Sequence, residues 1–196
     1  MVLTNNGRKR RLIGIAGRAG SGKGTLAEHF YTYYYFVQTS FAAPLKRGCA
    51  VMFGYPLAWN NTHEGKLRQV PGQNFTVRQA LQIIGTEGAR TLDPDVWINY
   101  ANQRWKESSE DFVYEDVRFE NEGKWIKSQG GIIVKCVNHD HIEDPTHVSE
   151  DLSWLTNPDE IVTCCIVNET GEGYGNYREK VPYYAEQILR RFEEKF

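Results

Sequence analysis

Long apolar runs are missing from this chain. No stretch approaches the roughly 18–20 residues that cross a bilayer, so no membrane span is expected. Positive charge followed by Leu12-Ile13-Gly14-Ile15-Ala16 imitates an export signal, but the apolar part is too short and runs straight into glycines that read as mature structure. Cysteine is scarce as well. Cys49, Cys136, Cys164 and Cys165 show no CxxC pair and no Cys/His ligand spacing, which argues against zinc. The adjacent pair inside an apolar run reads as core thiols of a reducing compartment, so a cytoplasmic location is expected. An excess of one charge is missing too. The formal net charge of -2 supplies no basic field for holding a nucleic-acid backbone. The run Arg8-Lys9-Arg10-Arg11 is the local exception and reads as a solvated arm ahead of the first strand. Repeats and low-complexity segments are absent.

What is present suits one well-packed domain of 196 residues, with the 40% hydrophobic and 24% charged fractions of an ordinary globular protein. Short apolar runs predict strands over 11–16, 35–41, 112–115, 132–137 and 161–167. Helices are predicted over 24–35, from Pro44 to about 53, over 77–90 behind a Thr76 cap, from Asp93-Pro94 to about 106, over 121–129 up to Gly130-Gly131, and over 182–196. The stretch 54–73 has Gly, Pro, Asn and His without clear periodicity and reads as a loop or partly helical lid. Alternating strands and helices predict an α/β protein, a three-layer α/β/α sandwich with a parallel sheet of about five strands. The chain 1–196 is expected to be a single domain, with 43–106 a mainly helical insertion over the carboxyl ends of the strands.

The sharpest local signal is Gly17-Arg18-Ala19-Gly20-Ser21-Gly22-Lys23-Gly24-Thr25, between the first predicted strand and the first predicted helix. From Gly17 to Gly22-Lys23 the spacing is that of the Walker A phosphate loop, or P-loop. Glycines let successive backbone N–H groups turn onto phosphates, and the helix N-terminus adds its positive dipole end. Gly20, Ser21, Gly22, Lys23, Gly24, Thr25 and Leu26 are therefore the candidate ATP-phosphate ligands, with Lys23 reaching the β- and γ-phosphates. The strict motif has Ser or Thr directly after the lysine. Here Gly24 fills that place and Thr25 follows, which makes Thr25 a candidate Mg²⁺ ligand only.

A phosphate loop leaves the reaction open. Three further segments place cations where a second anionic substrate would lie. Lys46 ends Phe41-Ala42-Ala43-Pro44-Leu45-Lys46, just beyond the second predicted strand. Arg78, Gln82 and Gly85 stand at i, i+4 and i+7, along one side of a predicted helix. Asp116 and Arg118 follow a predicted buried strand, at the sheet edge where doubly wound proteins bind ligands. Arginine grips two phosphate oxygens with its planar fork, and positioning contributes much of the catalysis in phosphoryl transfer. Asp116 is placed to hold Mg²⁺ through water or to orient an arginine. The candidate catalytic residues are Lys23, Arg78, Asp116 and Arg118. Each has a bland counterpart: Lys46 and Arg78 as surface charges, Asp116 and Arg118 as a salt bridge, Trp97 as core.

Together these segments resemble the bacteriophage deoxynucleoside monophosphate kinases, members of the P-loop nucleoside monophosphate kinase family. The matching blocks are SGKGT at 21–25, FAAPLK at 41–46, TVRQALQIIGTEGAR at 76–90, DVW at 95–97, DVRFENE at 116–122, GGIIVKCV at 130–137 and THVSE at 146–150. The resemblance implies a P-loop kinase fold, ATP and Mg²⁺, and transfer of the γ-phosphoryl group to a deoxynucleoside monophosphate. It implies that Lys46, Arg78, Gly85, Thr86, Trp97, Asp116, Arg118 and Glu122 face the acceptor, and that His147 and Glu150 lie on the donor side. Asn138 and His139 stand where some members carry a basic residue, and 54–73 matches none of these blocks. The implied partners are small nucleotides, with no membrane and no nucleic acid, in a cytoplasm that is the host's if the chain is phage-encoded. A homodimer is compatible with the sequence. The alternatives are a kinase for another small acceptor such as dephospho-coenzyme A, which needs a general base, and a nucleotide-sensing module without turnover.

Overall fold

The computed structural model describes residues 8–18, 20–138, 152–156, 164–168 and 177–194. In chain order the elements are β1 (Leu12–Ala16), α1 (Lys23–Tyr34), β2 (Val37–Thr39), α2 (Ala43–Phe53), a 3-10 turn (Leu57–Asn61), α3 (His63–Leu67), α4 (Val77–Gln82), a π-helical stretch (Ile83–Ala89) and α5 (Arg90–Leu92). They continue with α6 (Val96–Glu107), β3 (Phe112–Val117), α7 (Glu120–Ser128), β4 (Ile132–Asn138), a 3-10 turn (Ser153–Thr156), β5 (Cys164–Asn168) and α8 (Tyr177–Glu194). The chain divides into two compact units, Met1–Ser40 with Gln103–Phe196, and Phe41–Asn102.

The first unit is built on a five-stranded sheet in the order β2-β3-β1-β4-β5. Every pairing in it is parallel. Strand alternation sorts the side chains into two faces. Ile13, Ile15, Val113, Val134 and Cys136 pack against Leu26, Ala27 and Phe30 of α1 and Val181, Ala185, Ile188 and Phe192 of α8. On the opposite face Phe112 meets Trp105 of α6 edge-on, and Tyr114 meets Trp125 of α7 in the same way. Gly14 belongs to that face, where a Cβ would overlap Ile126 of α7. The result is the three-layer α/β/α sandwich. Each fully buried aliphatic or aromatic side chain contributes about 1.5–3 kcal/mol, so the sheet and its two helical covers stabilise one another.

Several element boundaries depart from expectation for local reasons. Strand β2 covers three residues rather than 35–41, because Tyr35 turns left-handed (φ 58°) and the Phe36 N–H closes α1 on the Phe30 carbonyl. Strand β3 runs two residues beyond 115, so Asp116 lies inside it. Helix α8 starts at Tyr177 rather than Pro182, with the proline inside the helix. Pro182 removes one N–H from the ladder, yet Tyr177 and Val181 are both buried in the core and hold the turn before it. The predicted helix over 77–90 continues to Leu92, but its middle, Ile83–Ala89, widens into π-helix. The i→i+5 pattern breaks the single face assumed for Arg78, Gln82 and Gly85. Of the predicted last strand only 164–167 lies within the described residues, and β5 runs one residue further, to Asn168.

The basic run is the largest correction. Arg8 and Arg11 both pair with Asp111, at 2.6 and 2.7 Å, and the Arg11 N–H donates to the same carboxylate. Arg10 is buried, stacks 3.7 Å from the Trp105 ring centre, and donates to the Trp105 and Ser108 carbonyls at the end of α6. A cation at a helix C-terminus opposes the negative dipole end there. This is a lock on the start of β1 and β3, not a solvated arm.

The second unit has its own core of Leu45, Cys49, Ala50, Tyr55, Val70 and Val77. Its stretch 54–73 is ordered by Asn60, fully buried, which donates to the Lys46 carbonyl and accepts from the Tyr55 hydroxyl. Burial pushes that hydroxyl up to about 12. Thr76 caps α4 in a reciprocal box with Gln79.

The Asp111 lock gives a direct test. Asp111→Ala leaves two guanidinium groups and a backbone N–H without their shared acceptor, and is expected to cost about 2–4 kcal/mol in urea unfolding. Arg8→Ala, at a half-exposed partner, should cost under ~1 kcal/mol. Equal losses would contradict this account of the lock.

Candidate active site

β1 is flanked by β3 and β4, and its last residue, Ala16, pairs with Val117 on one side and Lys135 on the other. The chain leaves the middle of the sheet there and must enter α1 by Lys23. Gly17, Gly20 and Gly22 make the turn with φ of 152, 72 and 90°, values that side-chain-bearing residues rarely adopt. Gly17 is also a close approach, since a Cβ would overlap the Cys136 carbonyl of β4 and the Ser21 hydroxyl. The Ser21 N–H donates to the Arg18 carbonyl at 3.2 Å, and the Lys23 ammonium donates to that same carbonyl.

Two features fit this loop to phosphate. Ser21 is buried and, among the described residues, its hydroxyl has no hydrogen-bond partner, an unusual state for a buried polar atom. Helix α1 has no acidic residue in its first turn, and its N-cap, Gly22, makes no side-chain hydrogen bond. Gly24, where the strict motif has a hydroxyl, has none of the described residues within 4 Å of where a Cβ would stand. Its glycine is not a packing requirement.

Asp116 lies in a bulge beside the last residues of β1. β1 advances from Gly14 to Ala16 while β3 advances from Tyr114 to Val117, so β3 carries one extra residue. Bulges re-aim side chains at sheet ends. Here Glu115 and Asp116 are both half-buried, and Glu115 accepts from Gln38 at 2.6 Å. Arg118 follows at the carboxyl end of β3. Its N–H donates to Glu122 at 2.8 Å, and its carbonyl accepts from the Trp154 indole at 2.8 Å. Glu122 is buried and also accepts from the Phe119 N–H, so it caps the start of α7. In the structure Glu122 thus orients the Arg118 backbone, whereas the resemblance has it face the acceptor.

In the second unit Lys46 lies on α2 and Arg78 on α4, 3.4 Å from the His63 ring nitrogen. Gly85 and Thr86 stand in the π-helical stretch. Trp97 donates its indole N–H to the Gly85 carbonyl at 3.1 Å and packs against the unit's core. Gly85 itself is buried, with Leu45 occupying the space of a Cβ. The structure therefore gathers the loop with Asp116, Arg118 and Glu122 in one unit, and Lys46, Arg78, Gly85, Thr86 and Trp97 in the other. His147 and Glu150 lie outside the described residues. Among the described residues no group of three or more His, Cys, Asp or Glu could hold a metal ion, and no helix is long and apolar enough to cross a membrane.

Sequence reasoning missed Asn60, Trp154 and Tyr177. The Tyr177 hydroxyl donates to the Gly22 carbonyl of the phosphate loop at 3.2 Å. None of the three carries a local signal, because each acts on a residue distant in the chain or lies in a stretch without periodicity.

A glycine phosphate loop leaving the central strand of a parallel α/β/α sandwich defines a P-loop nucleotide-binding fold. No family model matches the chain. A protein of Acanthamoeba polyphaga mimivirus, provisionally named a deoxynucleotide monophosphate kinase, is 32% identical over 157 residues, covering 71% of this chain and 80% of that protein. The chain belongs to that family of nucleotide kinases and is a phosphotransferase. Among solved structures, a provisionally assigned kinase from Chloroflexus aurantiacus J-10-fl has a TM-score of 0.46 at 12% identity, covering 93% of this chain and 97% of its own. Shikimate kinase from Acinetobacter baumannii, in complex with shikimate, has a TM-score of 0.46 at 13% identity, covering 93% and 94%.

The loop's two glycine environments make opposite predictions. Gly24→Ala should fold, bind nucleotide, and keep or gain up to about 1 kcal/mol. Gly17→Ala must displace the Cys136 backbone and is expected to lose roughly 1–3 kcal/mol in the same urea titration. Similar stability of the two variants would contradict the geometry of the loop.

Proposed function

We propose that this protein transfers the γ-phosphoryl group of ATP to the 5'-phosphate of a deoxynucleoside monophosphate, giving the deoxynucleoside diphosphate and ADP. The observation that carries the reading is the phosphate loop with its buried Ser21 hydroxyl, unpartnered among the described residues. Membership of the nucleotide kinase family supports a nucleotide acceptor, and the viral relative's name supports the deoxy form.

In this reading residues 20–26 and the Lys23 ammonium hold the donor phosphates. The Ser21 N–H bonds the Arg18 carbonyl and the Leu26 N–H closes the first turn of α1, so the main-chain contacts come from the other members. Lys23 leaves the Arg18 carbonyl for the β- and γ-oxygens and stabilises charge as it spreads over the transferring group. An acceptor phosphate oxygen attacks the γ-phosphorus while the bond to the β,γ-bridging oxygen breaks, and the electron pair leaves with ADP. The acceptor oxygen is already ionised, so no side chain has to take a proton. Lys46, Arg78 and Arg118 neutralise the acceptor's charge and bring it in line, with Gly85, Thr86 and Trp97 beside it. Residues 43–106 are in this reading the acceptor-binding part of a single kinase domain. Mg²⁺, held by Thr25 and through water by Asp116, would supply charge neutralisation between the phosphates. His147 and Glu150 are assigned to the donor side. The substrates place the enzyme in the cytoplasm, with small nucleotides as its partners.

The test is a panel of acceptors with ATP and Mg²⁺: the common deoxynucleoside monophosphates, their ribose counterparts and dephospho-coenzyme A. ADP formation with at least one deoxynucleoside monophosphate is expected. ADP with dephospho-coenzyme A alone, or nucleotide binding without turnover, would replace the proposal by the other kinase or by a sensor. Lys23→Ala should lower kcat ~10²–10³-fold. Arg78→Ala should raise the acceptor KM about 10-fold or more while the KM for ATP stays within about two-fold.

A further inference from the structure

Tyr177, the first residue of α8, touches the phosphate loop in two ways. Its hydroxyl donates to the Gly22 carbonyl at 3.2 Å. Its ring covers the Cα of Gly22, where a Cβ would stand 2.6 Å from Cε1, 2.8 Å from Cζ and 3.1 Å from the hydroxyl oxygen. Gly22 is thus required twice over, by its φ of 90° and by the aromatic ring against it.

The consequence lies in the peptide between Gly22 and Lys23. A trans peptide is planar, and its C=O and N–H point in opposite directions. The Gly22 carbonyl is held by the Tyr177 hydroxyl and by the Leu26 N–H at 3.1 Å, which starts the α1 ladder. With the carbonyl fixed along the helix, the Lys23 N–H must point the other way, back into the loop. That N–H is one of the groups assigned to the donor phosphates, and the Lys23 side chain departs from the same residue.

Tyr177 is suited to hold this orientation. It is 7% exposed and belongs to the core that contains Ile13, Ile15, Leu26 and Val181, so its ring cannot swing away without unpacking the start of α8. Burial, with the charge and a side-chain hydrogen bond of Cys136 and the nearby Tyr184, pushes its hydroxyl far above the usual tyrosine range, so it stays protonated throughout the physiological range. Cys136 is also the residue whose carbonyl fills the space beside Gly17. The loop is therefore gripped at Gly17 by β4 and at Gly22 by α8, with Ser21 between them.

We propose that Tyr177 is a positioning residue of the donor site, fixing the Gly22–Lys23 peptide so that the Lys23 N–H and ammonium meet the phosphates of the donor nucleotide. The inference rests on the donor half of the proposed function and is independent of which acceptor is used.

The test compares wild type, Tyr177→Phe, Tyr177→Leu, Lys23→Ala and the double variant Tyr177→Phe/Lys23→Ala. Calorimetric binding of ATP and ADP is measured together with KM for each substrate, kcat and thermal unfolding. Tyr177→Phe keeps the ring and should unfold within a few degrees of wild type, while nucleotide binding weakens about 3–10-fold, as expected for one lost hydrogen bond. The acceptor KM should stay unchanged. Tyr177→Leu should weaken ATP further. In the Lys23→Ala background the Tyr177→Phe effect should shrink, because the two residues act on one peptide. Wild-type nucleotide affinity in Tyr177→Phe, or equal changes in both KM values, would overturn the inference. A wild type that binds ATP but serves no acceptor contradicts the kinase reading instead, and the binding arm still decides the role of Tyr177. A wild type that does not bind ATP contradicts both.

Discussion

A buried parallel strand can deliver its following loop only at its own carboxyl end, and in this protein that end lies between two neighbours. β1 is hydrogen-bonded on both sides, so the turn after Ala16 emerges between β3 and β4 and has six residues in which to enter α1. That constraint explains the left-handed glycines, the Cys136 carbonyl against Gly17 and the Tyr177 ring against Gly22. It also puts Asp116 next to the last residues of β1, since the bulge in β3 lies beside them. Backbone N–H groups turned inward by such a loop present an electropositive cradle without any flexible side chain having to be ordered. In the proposed reading the donor cradle is built mainly from main chain, with the Lys23 ammonium added to it.

The features legible in the sequence were those with a local cause. Glycine spacing after an apolar run located the phosphate loop, and short apolar runs marked the strands to within a few residues. Thr76 and Gln79 form their box within one turn, so that helix start could be read directly. Features made by distant partners were not legible. Arg8–Arg11 looked like a solvated run because its counter-charge, Asp111, is about a hundred residues away in the chain. Pro182 looked like a helix start, and only the burial of Tyr177 and Val181 carries α8 past it. The π-helical turn has no periodic signature, since Ile83 and Ile84 fit an α-helical reading equally well. Asn60 sits in a stretch whose order comes from polar contacts inside a small core, where hydrophobic spacing is uninformative.

The candidate site was half legible for the same reason. Residues that would touch phosphate lie in compact motifs, and the structure places the donor loop, Asp116 and Arg118 on one sheet end. Residues that orient those groups come from elsewhere: Trp154 on the Arg118 carbonyl, Glu122 on its N–H, Tyr177 on Gly22. Their roles depend on distances that composition and spacing do not encode. Such supporting contacts matter in phosphoryl transfer, where alignment and electrostatics carry most of the rate.

The central claim is that a phosphoryl group moves from ATP to a phosphate rather than to water or a hydroxyl. Phosphorus NMR of the protein with ATP, Mg²⁺ and a deoxynucleoside monophosphate follows both ends of the transfer at once. The account predicts loss of the monophosphate resonance and growth of the two coupled resonances of a deoxynucleoside diphosphate, in step with ADP. Growth of inorganic phosphate with an unchanged monophosphate resonance would contradict it.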